Sequence, residues 1–181
     1  MREISLHVLD LIENAVRAGA GVVSVTLEED PSRDLLIVAV EDDGPGLPVS
    51  AETAVDPFFT TKEGKKTGLG LSLLKFRAEQ AGGGFRIARA DLGGLAVRAT
   101  MPLSSVDRSP LGDLAATLAS IACTTPEIDL RVRLAAGGET LVASTVDIAR
   151  SLPAGGRSPI AVARRLRDII TEGMAALPVT E

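Results

Sequence analysis

Residues 56–76 read DPFFTTKEGKKTGLGLSLLKF and hold three of the chain's four phenylalanines, four lysines and three glycines. Gly68 and Gly70 stand at the start of a helical pattern over 69–81, where exposed amides and the positive dipole end favour an anion. Lys62, Lys65 and Lys66 add mobile positive charge, and Thr60, Thr61 and Thr67 add hydroxyl donors. The set suits a di- or triphosphate. Two common phosphate motifs do not fit: GKKTG lacks P-loop spacing, and the GxG at 68–70 lacks the third glycine and ribose acid of a dinucleotide fold. Taken alone, the same stretch also reads as a solvated basic loop with its phenylalanines in the core.

Upstream, Ile4, Val8, Leu11, Ile12, Ala15 and Val16 recur at helical spacing over residues 3–18, and Gly19 is a stop. Asp10 and Asn14 are four residues apart and share one face of that helix. An asparagine carbonyl is a hard ligand of the kind Mg²⁺ accepts, and a carboxylate one turn earlier can position or deprotonate a water. The pair equally suits a plain solvated face. Next, GVVSVTLEE alternates and LLIVAV is continuously apolar, which predicts a hairpin. The segment EDDGPGLP follows its second strand directly. There Asp42 can accept a hydrogen bond from adenine's amino group, while Gly44 and Gly46 permit close backbone approach. As an isolated segment it is also an ordinary turn. Irregular chain is expected up to about Thr67, and the segments FRIARA and GLAVRATM predict a second hairpin after the helix at 69–81.

In this order, LDLIENAVRAGA, VEDDGPGLP, DPFFTTK and KTGLGLSLLKFRAEQAGG resemble the asparagine, first glycine, phenylalanine and second glycine boxes of the Bergerat-fold ATPases. That superfamily holds sensor histidine kinases, anti-sigma-factor serine kinases, gyrase B, mismatch-repair ATPases and a heat-shock chaperone. The wording of the last two boxes is closest to sensor-kinase catalytic domains. The resemblance covers about residues 3–103 and implies an α/β two-layer sandwich, a mixed sheet with helices on one face, that binds ATP and Mg²⁺. It implies Asn14 as the metal ligand, Asp10 as the catalytic carboxylate and Asp42 as the adenine contact. It further implies ATP contacts from Asn14, Gly44, Gly46, Phe59, Thr61, Lys62, Lys65, Thr67, Gly68, Leu69 and Gly70, with residues 56–67 as a lid. Hydrolytic members carry Glu where this chain has Asp10, one methylene shorter, which argues against strong hydrolysis.

A boundary is expected near LSSVDRSP, dividing an ATP-binding domain over 1–104 from residues 105–181. The second part reads as an α-β-β-α appendage that docks a partner or a second copy: a helix in PLGDLAATLASIA, strands in IDLRVRLA and ETLVASTV, and a helix from Ser158. The whole chain, LSSVDRSPLGDLAATL included, also resembles small stand-alone ATP-binding proteins associated with iron-only hydrogenase clusters.

At 181 residues and 45% hydrophobic content the chain can bury a real core, and its single cysteine excludes an internal disulfide. A net charge of −5 without a dense basic block argues against nucleic acid, and no apolar run has the length of a bilayer span. A cytoplasmic protein without membrane contact is expected. The only histidine, His7, lies among core positions of the first helix, and no phosphoacceptor hairpin is expected ahead of that helix. The reading is therefore a regulatory kinase module that phosphorylates a partner, such as a response regulator, a sigma-factor regulator or a redox-enzyme-linked regulator. A nucleotide-gated binding switch and a gyrase-like hydrolase are the alternatives.

Overall fold

A computed structural model describes residues 3–47, 49–55 and 69–177. Helix α1 (Ile4–Arg17) buries Ile4, Val8, Leu11, Ile12 and Ala15, the stripe expected from helical spacing. Gly19, at φ +92°, closes it: its amide donates to Val16 O at 3.0 Å and that of Ala20 to Ala15 O at 3.0 Å, a Schellman cap. At the other end Glu3 makes no side-chain cap. The amides of Ile4 and Ser5 donate instead to Pro110 O and Leu111 O, both at 2.9 Å, so a distant segment satisfies the start of the helix.

Strands β1 (Val22–Asp30) and β2 (Leu35–Asp42) form the expected antiparallel hairpin. The expected irregular chain after it is broken by a single turn, α2 (Ala51–Ala54), whose Ser50 hydroxyl accepts from Thr53 N. Helix α3 (Leu69–Gln80) follows, then β3 (Gly84–Arg89) antiparallel to β4 (Leu95–Met101), the second expected hairpin. Gly82 at φ +85° turns the chain out of α3, and at Gly83 a β-carbon would overlap the Thr100 carbonyl.

The rest of the described chain is α4 (Leu114–Thr124), β5 (Asp129–Ala136), β6 (Glu139–Ser144), α5 (Thr145–Ser151) and α6 (Pro159–Ala176). The expected strand ETLVASTV stops early. Ser144 Oγ accepts from Asp147 N and starts α5, because a serine before an acidic first turn caps a helix. The helix expected from Ser158 is α6: Ser158 is its N-cap, Pro159 stands in the first turn, and Ala163, Leu166, Ile170 and Leu177 are buried.

All six strands join one mixed sheet in the order β3-β4-β2-β1-β5-β6, with β1 and β5 parallel and the other neighbours antiparallel. The C-terminal strands therefore extend the N-terminal sheet and make none of their own. Where the boundary was expected, the Asp34 carboxylate accepts from Ser104 N at 2.8 Å and Ser104 Oγ at 2.6 Å, tying the β1–β2 turn to the connecting segment. Alternation assigns the faces. Val23, Val25 and Leu27 of β1 line up with Val40 and Val38 of β2 and with Leu130, Val132 and Leu134 of β5, all buried in one cluster with residues of α1, α3, α4 and α6. The opposite face carries Ser24, Thr26 and Glu28, with Arg133 donating to Glu28 at 3.0 Å. The chain is thus a two-layer sandwich. Burial of each large core side chain contributes about 1.5–3 kcal/mol.

Candidate functional site

One wall of the site is α1. Asn14 Nδ2 donates to Asp10 Oδ2 at 3.2 Å, and Arg17 donates to Asn14 Oδ1 at 2.9 Å. Residues three and four apart face one another on a helix, so the spacing legible in the sequence becomes a contact. The N-terminus of α3 lies directly against this pair: a β-carbon at Gly70 would overlap the Asp10 carboxylate. Glycine is thus required there for the helix start, with its exposed amides, to approach α1. Leu69 is the first residue of α3. Phe59, Thr61, Lys62, Lys65, Thr67 and Gly68 lie outside the described residues.

The second wall is the end of β2. Asp42 is 7% exposed, and its Oδ1 accepts from Gly44 N at 2.8 Å and Leu95 N at 3.2 Å. Oδ2 receives no hydrogen bond among the described residues, so one oxygen is anchored and the other is available. The turn between β3 and β4 does the anchoring. Gly94 N donates to Asp42 O at 3.0 Å, and a β-carbon on Gly94 would overlap the Asp42 carboxylate. Gly44 is close-packed without overlap: a β-carbon there would lie 3.0 Å from Oδ1. Gly46 follows at φ +77°, a conformation that favours glycine. Gly94 and the Leu95 amide escaped the sequence reading, since a GG turn signals only a turn.

Asp43 has a different task from its neighbour. Its Oδ1 accepts from Gly21 N at 2.8 Å and Val22 N at 2.9 Å, fastening the loop after β2 to the start of β1. His7 also turns away from surface chemistry. It is 1% exposed and neither ring nitrogen has a hydrogen-bond partner among the described residues. Burial, then the N-terminal cation and Arg77, lower its pKa from the ordinary value, against a smaller upward pull from Asp10.

Asn14 meets Asp10 through its amide nitrogen and turns its hard oxygen, Oδ1, to Arg17, and the absent β-carbon of Gly70 leaves room for α3 beside Asp10. Among the described residues no three His, Cys, Asp or Glu side chains could hold a metal ion by themselves. An ion seated there would take most of its ligands from phosphate and water, a habit of Mg²⁺.

A glycine-opened helix start facing a carboxylate–amide pair, with a buried aspartate across the sheet end, defines a nucleotide-binding sandwich. The comparisons carry this to a family. Residues 2–105 match the model described as histidine kinase-, DNA gyrase B- and HSP90-like ATPase, more than half of the chain. The chain belongs to this family, and these residues are its ATP-binding domain. It is similar to the sensor protein kinase PilS of Pseudomonas aeruginosa, at 39% identity over 45% of this chain and 18% of that one. It is also similar to the sensor protein CitS of Halalkalibacterium halodurans, at 34% over 51% and 18%. A shorter match, to the sensor kinase CckA of Brucella abortus, is 49% identical over 29% of this chain and 6% of that one. The chain thus spans less than a fifth of the length of these relatives. Among solved structures, the N-terminal domain of a DNA repair protein shares the fold, with a TM-score of 0.54, 12% identity, and coverage of 86% of this chain and 58% of that one. Among the described residues no helix is long and apolar enough to cross a membrane.

Proposed function

We propose that the chain is a kinase-type module that binds Mg-ATP and passes the γ-phosphoryl group to a partner protein. The observation that supports this reading is the close approach of the glycine-opened start of α3 to Asp10, whose carboxylate is hydrogen-bonded to the Asn14 side-chain amide. Asp42 Oδ2 accepts from the adenine amino group while Oδ1 stays pinned to Gly44 and Leu95, and Gly44 and Gly46 admit the base. Asn14 Oδ1 serves as the metal ligand once the Arg17 guanidinium swings away. Bound Mg²⁺ neutralises charge developing on the phosphates. Phe59, Thr61, Lys62, Lys65, Thr67, Gly68 and Leu69 are assigned to the lid and the phosphate contacts.

Asp10 orients the incoming nucleophile and takes its proton as the new bond to phosphorus forms and the bond to the ADP oxygen breaks. The acceptor lies outside these residues, because His7 is buried in the core. Sensor-kinase relatives favour transfer over hydrolysis.

Incubation with γ-labelled ATP, Mg²⁺ and protein fractions from native cells tests the reading, which predicts label on a second protein. Tight Mg-ATP binding without any label would instead support a nucleotide-gated switch, and rapid phosphate release a hydrolase. Asn14→Ala is expected to remove the Mg²⁺ dependence of nucleotide binding, followed with a fluorescent ATP analogue since the chain has no Trp or Tyr. Retained dependence would move the metal elsewhere.

A further inference from the structure

The sheet ends on two strands of opposite character. At one end β3 carries Arg86 directly across from Arg98 of β4 and finishes on Arg89, and such charge on an edge strand discourages further pairing. At the other end β6 reads ETLVAS, with no lysine, arginine or proline and one acid at its first position. Its outer edge has no strand partner among the described residues. Val142, in the middle of that strand, is 70% exposed. An edge strand this apolar and uncharged is a ready template for another strand.

We propose that β6 pairs antiparallel with β6 of a second copy of this chain, across a two-fold axis at Val142. Opposed residues of antiparallel strands lie on the same face, so a two-fold at Val142 sets Val142 against its own copy, Thr140 against Ser144, and Leu141 against Ala143. Every opposed pair is chemically compatible. Valine meets valine, two hydroxyls meet, and no like charges face each other. On the strand beside it, Arg133 stands across from Val142 but is held by Glu28 at 3.0 Å, so the two arginines flanking the axis arrive with their charge partnered.

The register is chosen by the Leu141–Ala143 pair. Ala143 is the small residue of β6 on the helical face, and beside it a cleft of about 220 Å³ is lined by Ser144, Ile148 of α5 and Ile169 of α6. In the proposed register the copy's Leu141, which packs on Gly173 of its own α6, lies beside Ala143, where the small side chain leaves room for it, and the two-fold makes the fit mutual. Other registers that keep the faces matched lose this: one centred on Leu141 opposes two leucines and sets exposed Val142 against Thr140. The result is a continuous sheet of twelve strands, with both nucleotide sites remote from the axis at the β2 ends. This inference does not depend on the phosphotransfer reading.

A six-residue strand pair with one small cleft is modest beside the about 800 Å² per partner of a standard interface, so a weak, concentration-dependent dimer is expected. Sedimentation equilibrium of the whole chain from about 1 to 200 µM tests it. The expected result is a shift toward twice the single-chain mass, abolished by Val142→Lys, which sets lysine against lysine on the axis while leaving nucleotide-analogue binding unchanged. A wild-type chain that stays monomeric at the highest concentration overturns the proposal, as does a dimer that survives Val142→Lys. Cysteine cross-linking in a Cys123→Ala background reads the register independently. Val142→Cys should form an intermolecular disulfide under mild oxidant at least tenfold faster than Thr140→Cys, because only residue 142 opposes itself at a disulfide-compatible separation. Equal rates, or a faster Thr140→Cys, would sink this register.

Discussion

At the residue scale, the site depends on atoms that are missing as much as on those present. Gly70 and Gly94 each lie where a β-carbon would overlap a carboxylate, that of Asp10 in one case and Asp42 in the other. Gly94→Ala should therefore push Asp42 off its anchor and weaken ATP-analogue binding about tenfold to a hundredfold. Asp42→Asn should do the same by replacing a charge-assisted acceptor, a loss of about 1.5–3 kcal/mol. Wild-type affinity in either variant would remove the adenine assignment. Asp10, Asn14 and Asp42 were legible in the sequence because local spacing and a strand end place them. Gly94 was not, since its partner is 52 positions away and no local pattern records the contact. His7 gives a second test. Its pKa is lowered in the folded chain, so the unfolded chain binds more protons and stability falls as pH drops through the ordinary value of 6.5. Asp34 and Asp129 are also lowered, Asp34 by the Ser104 hydroxyl and Asp129 by Ser144 and Arg131 against burial. As carboxylates they lose their stabilisation at more acid pH, below about 4. Urea unfolding of His7→Met should accordingly lose the slope that sets in as pH falls through about 6.5, and at pH 7 should match or exceed wild type, because a buried imidazole without a partner among the described residues costs about 1–3 kcal/mol. An unchanged slope would assign it to another group.

At the element scale, the helix ends show where local rules suffice. Ser158 Oγ accepts from Ala161 N at 3.2 Å with Pro159 next to it, at the helix start expected from the sequence. Ser158→Ala should lower stability by about 1 kcal/mol in denaturant titration, with nucleotide binding untouched. A loss below about 0.3 kcal/mol would mean that water replaces the cap. The same rule was missed at Ser144, because ETLVAS continues smoothly into TV and β-branched residues read as strand. Helix α1 broke the rule the other way. Its start has no capping side chain, and the carbonyls of Pro110 and Leu111 stand in for one.

At the scale of the whole molecule, that borrowed cap and the β1–β5 pairing knit residues beyond 105 into the ATP-binding sandwich. Periodicity showed the C-terminal strands but could not show their neighbours, since a parallel pairing has no turn to announce it. A chain cut after residue 104 would leave one edge of β1 unpaired, the first amides of α1 unsatisfied, and Val23, Val25 and Leu27 without the β5 and α4 cover. Such a fragment is expected to lose cooperative unfolding monitored by far-ultraviolet circular dichroism. A sharp two-state transition would show the N-terminal part to be self-sufficient. The parallel seam also sets an order of events during synthesis. Val22 pairs beside Asp129, more than a hundred residues later, so β1 must wait for most of the chain before its second edge closes. Until then a β-branched strand stands open next to a half-built pocket, and slow maturation of the newborn chain is the expected consequence.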